Sequence, residues 1–272
     1  MSDVVNWQGY LIKSQANNHL ICSPWILDDS CVFGHDSDYT TLATSLLRYL
    51  SIDFKVTTLS NVDEKISQEI LLASTDFVTG DEGFTITCNE DASLYIHLNN
   101  YNSIELPTEH MSIIDSDVYH KITNAWQEET NVKNISQGAY VSSQQYNQNL
   151  NSRLSLVAQD NGQLIWPQRL MDAQGNDIQD SKVRMKPFGK VITWTQLSAA
   201  GAPSEFAIRA PILGGICTVM IETLDGPNGV FLLVDDQNLT PEIGDSVELV
   251  VRRLYAQEGV IRYGAKAIIS DL

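Results

Sequence analysis

The chain has 272 residues, enough for one large or two ordinary domains, and its apolar fraction of 43% supports a packed core and excludes a disordered polymer. It carries 34 acidic against 17 basic residues, a net charge of −17 that repels phosphate backbones and argues against general nucleic-acid binding, while leaving room for a basic partner surface. No run of about 18 apolar residues marks a membrane span. The opening Met1-Ser2-Asp3-Val4-Val5-Asn6 lacks the basic start and apolar centre of a signal peptide, so a cytoplasmic protein is expected.

Residues 1–25 read as one or two strands, with apolar runs ending at Ile12 and Cys22 and a turn at Asn17-Asn18. Leu42, Ser45, Leu46 and Tyr49 share one face at helical spacing, and Asp38 stands where a cap belongs, so a helix is expected over 39–50. A strand at 56–59 follows, then a second helix opened by Asn61 and Asp63 and running through Ile66, Ile70, Leu71 and Leu72. This much is alternating α and β. Residues 83–88 and 93–98 form a hairpin around Asn89-Glu90-Asp91. A short helix is expected over 118–126 with Asp117 as cap, then polar loop over 127–137. A helix entered at 142–146 continues through Leu150, Leu154 and Val157.

The segment 158–175 carries Gly162, Trp166-Pro167, Arg169 and Gly175 and separates the α/β part from the C-terminal part. Five short β-rich runs come after it: 189–195, 216–222, 230–234, 246–251 and 260–263. Asp225-Gly226, Ile243-Gly244-Asp245 and Glu258-Gly259 supply turn chemistry among them. Five such strands suit a small closed barrel, because closure removes exposed edges. The five-stranded Greek-key OB-fold fits the count and length.

The four cysteines, Cys22, Cys31, Cys88 and Cys217, form no Cys-x-x-Cys, so buried free thiols are expected rather than a zinc site or redox pair. His19, His35, His97, His110 and His120 show no helical metal spacing.

In the barrel region the order Gly-Lys-Val-x-Thr-Trp-Thr (189–195), Glu-x-Leu-Asp-Gly (222–226) and Ile-Gly-Asp-x-Val-Glu (243–248) resembles the OB-fold of the acyl-CoA-associated zinc-ribbon/OB-fold proteins, also known as domain of unknown function thirty-five. In that family two Cys-x-x-Cys knuckles precede the barrel. Here the frame of Gly162, Trp166-Pro167, Arg169 and Gly175 is kept, but Ala158 and Asn161 stand at the first knuckle and Met171 and Gln174 near the second. Those side chains cannot hold structural zinc. The resemblance therefore implies a degenerate, metal-free ribbon, with Leu164, Ile165, Trp166 and Leu170 available to fill the space.

The region 31–140 resembles the opening of the thiolase-like fold of hydroxymethylglutaryl-CoA synthases, through Asp36, Asp38, Thr41, Leu42 and Ala43 and the small-residue stretch 73–82. It departs from them at the chemistry. None of Cys22, Cys31 and Cys88 lies in the Gly-rich turn that carries their nucleophile, and a nucleophilic thiol needs its pKa lowered.

The organisation expected is thus an α/β region over 1–140, which the resemblance reads as a thiolase-like remnant, a helix and degenerate ribbon over 141–188, and an OB-fold over 189–272. The resemblance implies a non-catalytic accessory subunit, docked in a hetero-oligomer on a thiolase-like or hydroxymethylglutaryl-CoA synthase-like enzyme and helping to hold or channel its CoA thioesters. It implies no cofactor, metal, nucleic acid or membrane, with a CoA thioester as possible ligand. The alternatives are an acyltransferase in its own right and a stand-alone OB-type ligand-binding module. CoA carries phosphates, so a site on so acidic a chain would use its few cations. Lys182, Arg184, Lys186 and Lys190 form a basic island, Trp194 just beyond would stack on the adenine or pack under the pantetheine, and Arg209 follows.

Overall fold

The structure is a computed structural model describing residues 4–53, 57–98, 102–131, 133, 150–169, 171–178, 180–237, 239–257 and 259–270. It divides into two compact units, Met1–Asn124 with Val251–Arg253, and Ala125–Val250 with Leu254–Leu272. Among the described residues no helix is long and apolar enough to cross a membrane.

The first unit opens with three strands, β1 (Val4–Trp7), β2 (Tyr10–Gln15) and β3 (Asn18–Cys22), in an antiparallel meander. β1 and β2 meet at Gln8-Gly9, both at positive φ, the backbone that a tight hairpin turn requires. A second hairpin, β4 (Trp25–Leu27) with β5 (Ser30–Val32), turns on Asp28 and Asp29, also both at positive φ, and β10 (Ser112–Ile113) pairs with β4. Helix α1 (Tyr39–Asp53) buries Leu42, Ala43, Leu46, Leu47 and Leu50. Asp38 caps it: its Oδ1 accepts the Thr41 amide at 3.0 Å, and the Thr41 hydroxyl oxygen accepts the Asp38 amide at 3.0 Å.

After β6 (Thr58–Val62) comes α2 (Gln68–Ser74), which starts later than expected. Asp63 does not cap it. Its carboxylate takes the amides of Lys65 and Cys88, fixing a turn instead. β7 (Val78–Thr79), β8 (Phe84–Cys88) and β9 (Ser93–His97) complete a seven-stranded mixed sheet, order β1-β2-β3-β9-β8-β6-β7, with β8 and β9 as the hairpin read from the sequence. Its core joins Tyr10, Ile12, Ile21, Phe84, Leu94 and Ile96 to the α1 leucines. Asp36, fully buried, lies 3.5 Å from the Arg252 guanidinium, which stands 4.3 Å over the Tyr10 ring.

Helix α3 (Ser116–Thr130) is capped by Asp115, whose Oδ1 accepts the Val118 amide, rather than by Asp117. It runs past residue 126, where loop was expected, because Trp126 and Glu129 are buried. In the second unit α4 (Leu150–Leu154) ends before Val157: Leu156 at φ 52 breaks it, and Val157 instead opens β11 (Val157–Asp160). The expected helix entry at 142–146 and Leu170 lie outside the described residues. β11 pairs with β12 (Leu164–Ile165) and β13 (Ser181–Arg184) in a three-stranded sheet.

The barrel is closed. Its strands β14 (Phe188–Leu197), β15 (Ile216–Thr223), β16 (Asn228–Leu233), β17 (Ser246–Gln257) and β18 (Val260–Ile269) run in the order β14-β15-β16-β18-β17. β16 and β18 are parallel, whereas β14 pairs antiparallel with β15 and β17. This is an OB-like closure within a mixed α+β chain. Val191, Val219, Ile221, Phe231, Leu233, Val247, Leu249 and Ala267 fill it, and Leu156, Ala158 and Met185 belong to the same core.

Candidate functional site

Three motifs far apart in sequence meet at one end of the barrel. Gly189 pairs with Thr223 and Val247, and Lys190 with Glu222 and Ser246. The Val191 amide donates to Asp245 O at 3.0 Å and the Gly244 amide to Val191 O at 2.8 Å. Leu224 donates its amide to Phe188 O at 2.9 Å. The motif glycines have physical causes: a Cβ on Gly189 would stand 2.5 Å from Glu222 O, and Gly226 and Gly244 take φ of +107° and +97°. Leu224 and Ile243, 62% and 73% exposed, stand out beside them.

Of the island residues, Lys186 and Lys190 lie at this end, and Lys182 and Arg184 belong to a separate sheet. β13 is an edge strand, exposed at all four positions, and carries Lys182 and Arg184. Lys186 is exposed, and its amide donates to Asp225 Oδ2 at 2.6 Å. Lys190 is exposed directly across from Glu222, a cross-strand pair of opposite charge. Trp194 is 37% exposed, opposite Val219. Arg209 stands apart from the island. It is 1% exposed, and its guanidinium is held by Glu129, Asp235 and the Leu254 carbonyl. Sequence reasoning missed the acids that face the island, Glu222 and Asp225. It also missed the partners of Arg209; Trp126 and Glu129, three apart on α3, were the one local sign of a buried face.

At the positions where the ribbon family has ligands, the turns are tied by side chains of this chain. Asp160 Oδ1 accepts the Gly162 amide at 2.9 Å. Asp172 Oδ1 accepts the amides of Gln174 and Asn176 at 2.9 and 2.8 Å, and Oδ2 the Asn176 side chain at 3.1 Å. These bonds hold the Asp172 carboxyl below the ordinary aspartate range. Met171 and Gln174 sit in that turn, and Ala158 is buried in β11 against the barrel core. Trp166 donates its Nε1 hydrogen to Ser152 O at 2.9 Å and stacks on Phe231 with ring centroids 5.1 Å apart. Among the described residues no group of three or more His, Cys, Asp or Glu is arranged to hold a metal.

The surroundings of all four thiols raise their pKa. Burial pushes Cys31 up to about 12, and burial followed by the neighbouring Asp63 pushes Cys88 to about 12. Cys22 and Cys217 are raised by burial as well. Burial lowers His19 to about 4, leaving a neutral ring whose Nδ1 is 2.9 Å from Ser14 Oγ. A thiol acts as a nucleophile through its thiolate, and these environments suppress it.

No family profile matches the chain, and no curated protein matches it. A solved structure titled "Ltp2-ChsH2(DUF35) aldolase" is similar at 20% identity and a TM-score of 0.30, over 42% of this chain and 84% of that one. An overlap that loose passes on neither fold nor activity.

Proposed function

We propose that the protein is a non-catalytic accessory subunit that docks on a thiolase-like, acyl-CoA condensing enzyme and helps hold or channel its thioesters. The observation that carries this reading is the convergence of 189–191, the start of the first motif, with the 222–226 and 243–248 motifs on one end of a closed barrel, Trp194 lying further along β14. Residues that resemble a CoA-associated family in sequence are neighbours in space there, beside two exposed aliphatic side chains. A rim of Leu224 and Ile243 among mixed charges suits a protein contact. The suppressed thiols support a role without covalent acyl chemistry. Within the site, Lys186 and Lys190 are the cations for the CoA phosphates and Trp194 the stacking surface.

Affinity capture from the native host, with the bound proteins identified, tests the docking. The wild type recovers a condensing enzyme, and Leu224→Asp/Ile243→Asp loses it. Turnover of acetyl- or acetoacetyl-CoA by the chain alone would overturn the reading. Calorimetric titration of CoA, with and without that partner, tests the ligand site. Lys186→Glu/Lys190→Glu weakens binding, and wild-type affinity falls as salt rises. Equal affinity in both proteins removes the island from the site.

A further inference from the structure

Arg209 lies in the segment 198–215, which joins β14 to β15. Much of that segment is exposed or half-buried, and many of its backbone bonds are internal: Gly201 to Ser198, Ala210 to Phe206, Leu213 to Arg209 and Gly215 to Ala210. Arg209 points away from water. Its Nε donates to Glu129 Oε1 at 2.9 Å, Nη1 to Asp235 Oδ2 at 3.1 Å and Nη2 to Leu254 O at 2.6 Å. Its plane lies 3.8 Å over the Trp126 ring, and Phe206 stands 5.6 Å away. Lys266 takes the other Asp235 oxygen at 2.6 Å, so Asp235 is shared between two cations.

The receptor is built from parts that lie far apart in sequence: a carboxylate on α3, a carboxylate after β16, a carbonyl on β17 and an indole face. Carboxylates and a carbonyl arranged around a plane match a forked, flat cation with several donors, and an aromatic face suits its delocalised charge. An ammonium presents the same charge at a point and matches neither the plane nor the fork.

We propose that Glu129, Asp235, the Leu254 carbonyl and Trp126 form a guanidinium-binding site that Arg209 fills in cis, strapping the segment 198–215 to the barrel. The site's ligand class is a guanidinium, and the strap holds only while that ligand is in place.

The experiment is chemical rescue in the full chain. Arg209→Ala leaves a vacancy of guanidinium shape beside two carboxylates and lowers the melting temperature by about 10 °C. Methylguanidinium at tens of millimolar restores a large part of that loss. Methylammonium at the same ionic strength restores none, and the wild type responds to neither. Equal rescue by the two cations, or none by methylguanidinium, overturns the site. Arg209→Lys decides the matter if the alanine variant does not fold. It keeps the charge but loses the fork, so amides of the strap exchange with solvent about tenfold faster than in the wild type while those of β15 do not. A lysine variant with wild-type melting and strap exchange also overturns the proposal.

Discussion

At Gly229 one hydrogen atom decides whether Trp166 can lie on the barrel. A Cβ there would stand 2.6 Å from Trp166 Cζ3 and 2.6 Å from Phe231 Cε2, inside the stacked pair. Gly229→Ala therefore costs about 1–3 kcal/mol, because Phe231 is buried and the half-buried Trp166 is held by its bond to Ser152 O. Urea unfolding followed by tryptophan fluorescence checks this, and an unchanged midpoint would refute it. Nothing in the sequence marks Gly229, since its clash is with a residue 63 positions earlier. The same limit applies to Arg209. It reads as one more surface cation until the fold brings Glu129 and Asp235, 80 and 26 residues away, to its donors. Lys182, Lys186 and Lys190 are exposed, as lysines ordinarily are, but the edge strand β13 that carries Lys182 was not read from the sequence.

Elements were legible where pattern and turn chemistry agree. The five barrel strands are found where β-branched runs are bounded by glycine turns. β17 and β18 extend well beyond 251 and 263, to Gln257 and Ile269. Arg252, Arg262 and Lys266 interrupt the apolar pattern there, yet all three are buried. The ribbon's second turn gives a prediction at this scale. Asp172 has a lowered pKa, so its contribution to the turn is present at neutral pH and is lost as pH falls below the ordinary aspartate value of 3.8. Asp172→Ala speeds hydrogen exchange at Gln174 and Asn176 at pH 7 and leaves the barrel amides unchanged. A chelator leaves the wild-type turn unchanged, because the carboxylate makes its bonds. Chelator-sensitive exchange would instead assign the turn to a metal.

For the whole molecule, the strand order has a consequence in time. β18 is the last barrel strand in the chain, but it is an interior strand of the closed sheet, seated between β16 and β17. A ribosome that has released only the first four strands has made a sheet with two open edges, one of them β16 with Val230 67% exposed. A chain stopped after Gln257 is expected to stay in that state, binding a hydrophobic dye and eluting as aggregates in size-exclusion chromatography. A monomeric, dye-silent product would show that four strands suffice. Refolding of the intact chain should be limited by the same step, since β18 must find a parallel neighbour across the whole of β17. The barrel is thus closed from its tail, and any factor that shields the nascent chain has to remain until β18 is out.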